Sequence, residues 1–106
     1  TAVIDYNGLQ SLDTIENTLR LEPLKEKLEA FGWEVFEVDG HDVEELRGVL
    51  GEGTYLSERP AAVIARTTKG KGVSFMEDSV LWHYRSPQDH EFRAAMDELG
   101  EDSWDA

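Results

Sequence analysis

A parallel sheet with flanking helices, an α/β fold, is what this sequence predicts, and three observations predict it. Ala2-Val3-Ile4 and Ala61-Ala62-Val63-Ile64-Ala65 are apolar runs without polar alternation, the pattern of strands buried on both faces of a parallel sheet. Trp33-Glu34-Val35-Phe36-Glu37-Val38 is a third strand-like run, aromatic and β-branched. Between these runs lie stretches with apolar residues at helical spacing, the crossover connections that parallel strands require.

The opening strand runs into Asp5-Tyr6-Asn7-Gly8-Leu9, an oxygen-rich turn in which Gly8 supplies the freedom to reverse tightly. Residues 10–17 are polar and read as turn. Glu22 and Pro23 suit a helix start, and Leu24, Leu28 and Phe31 then share one face while Lys25, Glu26 and Glu29 take the other, until Gly32 stops the helix. Trp33, Val35 and Phe36 are the partly buried positions of the next strand. After Asp39-Gly40-His41-Asp42 comes a second helix, with Asp42 as cap, Glu45 as its capping-box partner and Val43, Leu46 and Leu50 as its core face. Residues 51–60 read as a loop, and the buried strand 61–65 follows. Residues 87–99 form a last amphipathic helix, capped by Ser86, with Phe92, Ala95, Met96 and Leu99 on its apolar face; residues 100–106 are an acidic tail.

At 106 residues and 40% hydrophobic content the chain supports one small core, so residues 1–106 are a single unit without linker or repeat. The formal net charge of -13, from 23 acidic and 10 basic side chains, repels a phosphate backbone and speaks against nucleic-acid binding. With no cysteine there are no disulfides, thiolate metal sites or cysteine nucleophile, which fits a reducing compartment. No run is long and apolar enough to span a membrane, so no membrane contact and a cytoplasmic location are expected.

In open parallel sheets ligands collect at the carboxyl ends of strands, which places Thr67-Thr68-Lys69-Gly70-Lys71-Gly72 on the same edge as Asn7. Taken alone, Asn7-Gly8 is a common turn dipeptide, and the Lys-Gly-Lys-Gly run is a solvated surface turn with the wrong spacing for a nucleotide-triphosphatase phosphate loop. His83, in Leu81-Trp82-His83-Tyr84-Arg85, reads on its own as a hydrogen-bonded loop residue rather than a catalyst. A hard cation such as magnesium takes oxygen ligands shared with substrate phosphates, so an Asn7 amide and a Leu9 carbonyl supply half a site.

These segments, in this order, resemble the transketolases, and above all the split type whose cofactor domain is a separate subunit. The resemblance runs through Asn7-Gly8-Leu9, Leu21-Glu22-Pro23-Leu24, Ala30-Phe31-Gly32-Trp33-Glu34-Val35, Val38-Asp39-Gly40-His41-Asp42, Thr67-Thr68-Lys69-Gly70-Lys71-Gly72 and Trp82-His83, nearly the whole chain. It implies the carboxyl-terminal half of a thiamine-diphosphate-binding domain. Asn7 and Leu9 are then magnesium and cofactor ligands, Lys69, more than Lys71, contacts the diphosphate, and His83 reaches diphosphate and substrate as the catalytic residue. The family's preceding Gly-Asp-Gly turn is absent from this chain, and Ser11-Leu12-Asp13 stands where the family shows Ile-Asp-Gly. Tyr84 and Arg85 replace the glycine and lysine that follow the family's histidine.

What the resemblance implies is an enzyme active only with partner chains: one supplying the Gly-Asp-Gly aspartate, and a pyrimidine-binding transketolase subunit. The reaction moves a two-carbon ketol unit from a ketose to an aldehyde, using thiamine diphosphate and magnesium on a small sugar or keto substrate. Two other readings stand beside it: another thiamine-diphosphate enzyme, acyloin-forming or of the 2-oxo acid dehydrogenase type, and a non-catalytic acidic interaction domain. His41 reads as structural, His90 as a surface residue, Trp33 and Trp82 as packing, and Trp104 as a partner contact.

Overall fold

The computed structural model describes residues 1–53 and 58–100. Its first strand, β1 (Ala2–Tyr6), continues through Asp5 and Tyr6 because both keep pairing with a later strand, which moves the turn to residues 7 and 8. Residues 10–17 do not form a simple turn. Two-residue strands β2 (Leu9–Gln10) and β3 (Asp13–Thr14) make a small antiparallel hairpin, and Thr14 caps the single-turn helix α1 (Ile15–Thr18) by accepting the Asn17 N–H at 3.3 Å. Ile15, apolar in a polar stretch, is buried beneath it.

Helix α2 (Leu24–Ala30) leads to β4 (Glu34–Asp39), then α3 (Val43–Gly48), β5 (Ala61–Arg66) and α4 (Asp89–Leu99). The sheet order is β1-β5-β4, all parallel, with β5 pairing Ala62 to Ala2 on one side and Ala61 to Glu34 on the other. A strand flanked on both edges and both faces has nowhere to place a polar side chain, and residues 61 to 65 are accordingly all buried. On one face Phe36, Val38, Val63 and Ala65 are covered by Leu46 and Val49. On the other, Lys25 of α2 pairs with Glu37 at 3.9 Å, so α2 and α3 lie on opposite faces of β4. That is the arrangement right-handed crossovers give when the chain passes β5's place and then returns to fill it.

Several expected core positions are not core. Phe31 is 82% exposed because α2 is only seven residues long and ends one residue before it. In α3 the inward pair is Leu46 with Val49; Val43, first after the cap, is exposed, and Leu50 falls in a π-helical turn (Val49–Gly53) that resets the spacing. That turn also replaces the beginning of the expected 51–60 loop, whose residues 54–57 lie outside the described residues. Asp42 does cap α3, accepting the Glu44 and Glu45 N–H groups at 2.9 and 3.0 Å, but Glu45 reaches past the cap to the Asp39 N–H at 2.8 Å. The last helix begins at Asp89, not at Pro87, and is capped at Gln88, whose N–H donates to Glu91 at 2.8 Å; Ser86 lies upstream of it. Ala95 is buried, whereas Phe92 and Leu99 are half exposed. The acidic tail beyond Gly100, with Trp104, lies outside the described residues.

Candidate functional site

Because the three strands of the sheet are parallel, the turns after β1, β4 and β5 emerge on one edge. After β1, the Asn7 Oδ1 accepts the Leu9 N–H at 3.0 Å, closing an Asx turn, and the Gly8 carbonyl accepts the Ile15 N–H at 3.0 Å, which anchors the hairpin. After β5, the Thr67 N–H donates to the Tyr6 carbonyl at 3.3 Å and the Thr67 hydroxyl donates to Asp5. After β4, the Gly40 N–H donates to the Arg66 carbonyl at 2.8 Å. The Thr68 N–H donates to Nε2 of His41 at 2.8 Å, so His41, read from sequence as structural, ties the β4 turn to the 67–72 loop.

Gly70 holds that loop's shape. Its φ is +74°, and a Cβ there would lie 2.6 Å from the Met76 carbonyl oxygen, so the chain folds back on itself only with glycine at this point. The Lys69 carbonyl accepts the Asp78 N–H at 3.0 Å from the returning segment. The 3-10 segment Val80–His83 follows and brings His83 to the edge. It is fixed from behind: the Trp82 Nε1 donates to the Phe75 carbonyl at 3.0 Å, the Arg85 guanidinium stacks on the Trp82 ring at 4.3 Å, and Arg85 also pairs with Glu91 of α4. The His83 ring meets Tyr84 edge-on at 4.8 Å.

Asn7, Leu9, Lys69 and His83, four residues from three separate segments, line one cavity of about 110 Å³, together with Ser11 and Val80. Sequence reading missed the last two. Val80 carries no chemical signal, and nothing in a serine announces the left-handed backbone that Ser11 adopts. Lys71 does not line this cavity, though it shares the larger neighbouring cleft with Asn7 and Lys69, and it pairs with Glu77 at 3.8 Å. Arg66 is occupied too, by Glu37 at 2.6 Å and Glu22 at 4.0 Å. Lys69 has no acidic partner among the described residues, in a chain with 23 carboxylates. An ammonium left bare in the same cavity as an imidazole offers N–H donors to an anion, while the Asn7 amide oxygen, an acceptor, suits a cation instead. Broader clefts flank the loop, one of about 590 Å³ walled by Glu37, Asp39 and Glu45, which repel phosphate, and one of about 630 Å³ that shares Asn7 and Lys69 with the small cavity.

The size and chemistry of the small cavity fit a phosphoryl group at one end of a larger ligand, since whole-cofactor sites run to roughly 300–1,000 Å³. Among the described residues no group of three or more His, Cys, Asp or Glu side chains could hold a metal ion. A magnesium ion at Asn7 and Leu9 therefore needs phosphate oxygens and a further carboxylate to complete its shell.

The support behind His83 is acid-sensitive. The Gln88 N–H and the Arg85 guanidinium hold the Glu91 carboxyl below its ordinary value of 4.5. A carboxyl depressed in the folded state contributes its stabilisation above the ordinary value and loses it as pH falls through the lowered one. Thermal melts from about pH 6 to about pH 3 are expected to show a falling midpoint, with a shallower fall in Glu91→Gln; identical slopes would mean that this pair does not stabilise the fold.

Comparison with known proteins is consistent with this geometry. The family model described as transketolase, thiamine diphosphate binding domain, matches residues 2–105. The chain is 37% identical over 94% of its length to an apulose-4-phosphate transketolase subunit of Phocaeicola vulgatus, covering 36% of that protein. It is 34% identical over 92% of its length to the 6-deoxy-6-sulfo-D-fructose transketolase subunit SqwG of a Clostridium species, again covering 36%. Human transketolase is 38% identical over 77% of the chain, which covers 13% of it. The crystal structure of transketolase from Campylobacter jejuni superposes with a TM-score of 0.84 at 30% identity, over 92% of this chain and 15% of that one. The chain thus spans about a third of the length of the subunit relatives it matches.

Proposed function

Since this chain belongs to the transketolase family, within its thiamine diphosphate binding domain, we propose that it forms the carboxyl-terminal half of a cofactor domain in a transketolase-like enzyme. The reaction is transfer of a two-carbon ketol unit from a ketose to an aldehyde. Thiamine diphosphate, when bound, supplies the carbanion chemistry of that transfer. This chain binds and orients. Lys69 neutralises diphosphate charge, Asn7 and the Leu9 carbonyl give neutral oxygens to magnesium without adding repulsion, and His83 offers an imidazole to the diphosphate and to substrate oxygens.

One observation carries the reading: those four residues, from three separate segments, share a single small cavity whose only lysine is unpaired among the described residues. Residues 1–106 hold neither the aspartate of a Gly-Asp-Gly turn nor the acidic group facing the aminopyrimidine; the aspartate comes from outside them, and a pyrimidine-binding subunit brings the acidic group. The relatives named as transketolase subunits support such a division of labour. Substrate choice is open to variation here, because Arg85 is drawn back onto Trp82 and Glu91 and does not line the cavity.

The test is calorimetric titration of thiamine diphosphate, with magnesium, into the chain assembled with its partner chains. Asn7→Ala is expected to raise Kd about tenfold, through loss of a ligand oxygen and of the Asx turn that positions Leu9. An unchanged Kd would end the proposal for this chain.

A further inference from the structure

Ser11 sits at the apex of the β2-β3 turn, where the Leu12 N–H donates back to the Gln10 carbonyl and the serine is forced to φ +36°. Apart from Asp78, it is the only residue other than glycine at positive φ among the described residues. A turn this tight is made most easily by glycine, so a serine there holds strain that the fold does not require. Its side chain takes part in no hydrogen bond among the described residues, although Asp13, Thr14 and Asn17 around it are all engaged. Yet Ser11 lines the cavity of Asn7, Leu9, Lys69 and His83.

From these facts we infer that Ser11 is a further ligand-binding residue of that cavity, its hydroxyl donating a hydrogen bond to a phosphoryl oxygen held beside Lys69. The inference rests on the cofactor-site reading above and extends it. A hydroxyl suits the position because it donates to an anionic oxygen without adding charge, next to an ammonium that already supplies it. The phosphoryl oxygen belongs either to the cofactor diphosphate or to a phosphorylated sugar.

Two variants in the assembled enzyme decide the matter. Ser11→Ala removes the hydroxyl and keeps the strain; Ser11→Gly removes both, and also folds if the alanine variant does not. If the diphosphate is the partner, calorimetry gives a Kd for thiamine diphosphate raised about tenfold in Ser11→Gly, with the Kd for unphosphorylated thiamine unchanged. If the sugar is the partner, Kd for the cofactor holds while KM for a phosphorylated ketose rises about tenfold, kcat and the KM of an unphosphorylated ketose staying put. Wild-type values for Ser11→Gly in both assays overturn the inference, whatever Ser11→Ala does. Lys69→Ala, titrated in parallel, separates the two levels: if it loses cofactor affinity while Ser11→Gly shows wild-type values in both assays, Ser11 alone is wrong, and if neither variant departs from wild type the cofactor site itself is wrong.

Discussion

Replacing Lys69 by alanine is expected to weaken thiamine diphosphate binding by about 10- to 100-fold, since a charge-assisted hydrogen bond to phosphate is worth roughly 1.5–3 kcal/mol. The ground is the contrast among this chain's cations. Lys71 has Glu77 at 3.8 Å and Arg66 has Glu37 at 2.6 Å, so the charge of each is already met, whereas Lys69 lines the cavity with Asn7 and His83 and is bare among the described residues. Lys71→Ala, two positions away, should therefore change Kd by less than about threefold. Raising salt should weaken the wild type more than Lys69→Ala, because the variant has lost the screened attraction. Calorimetry of the assembled enzyme at two ionic strengths checks both statements. A larger loss in Lys71→Ala than in Lys69→Ala would show that the wrong lysine faces the ligand.

Gly70→Ala should be the most damaging single-methyl change in the loop. The new Cβ would stand 2.6 Å from the Met76 carbonyl oxygen and 2.9 Å from the Met76 Cβ, at a φ of +74° that alanine resists. Backbone atoms cannot swing aside as a side-chain end can, so the loop must open, at a cost of about 1–3 kcal/mol for the strain alone. Gly8 gives the control: the same φ of +74°, and nothing within 4 Å of an added Cβ. Gly8→Ala thus carries the φ penalty without the collision. A thermal melt should drop by roughly 4–8 °C per kcal/mol in a domain of this size, further for Gly70→Ala than for Gly8→Ala. Cofactor affinity should fall with it, because opening the loop moves Lys69, whose carbonyl is bonded to Asp78. Equal melting temperatures for the two variants would mean that the fold-back is not needed.

Residues 61 to 65 were legible as a central strand because five consecutive apolar side chains leave no exposed face. The meeting of Asn7 with Lys69 was legible for a related reason: once the strands are parallel, the turns after them must share an edge. The hairpin of residues 9–14 was not legible. Strands of two residues show no alternation, and what fixes them is the Gly8 carbonyl and the buried Ile15, both set by tertiary packing. The inward pair of α3 was misjudged at Val43 and Leu50 because a short stretch at helical spacing fits two registers, and the π turn that begins at Val49 chose the other. His41 has a partner 27 residues away in Thr68, an imidazole-to-backbone bond that no local pattern announces. Ser11 escaped notice because serine is read as a turn residue and its backbone angle belongs to the turn's geometry, not to its side chain.

The strand order has a consequence for how the chain is made. β1 and β4 never touch each other through backbone bonds; each waits for β5, whose partners at Ala2 and Glu34 are synthesised long before Ala62 and Ala61. Among the described strands, the three-stranded sheet cannot assemble until the last of them slides between the two outer ones, so this sheet depends on contacts distant in sequence and closes late.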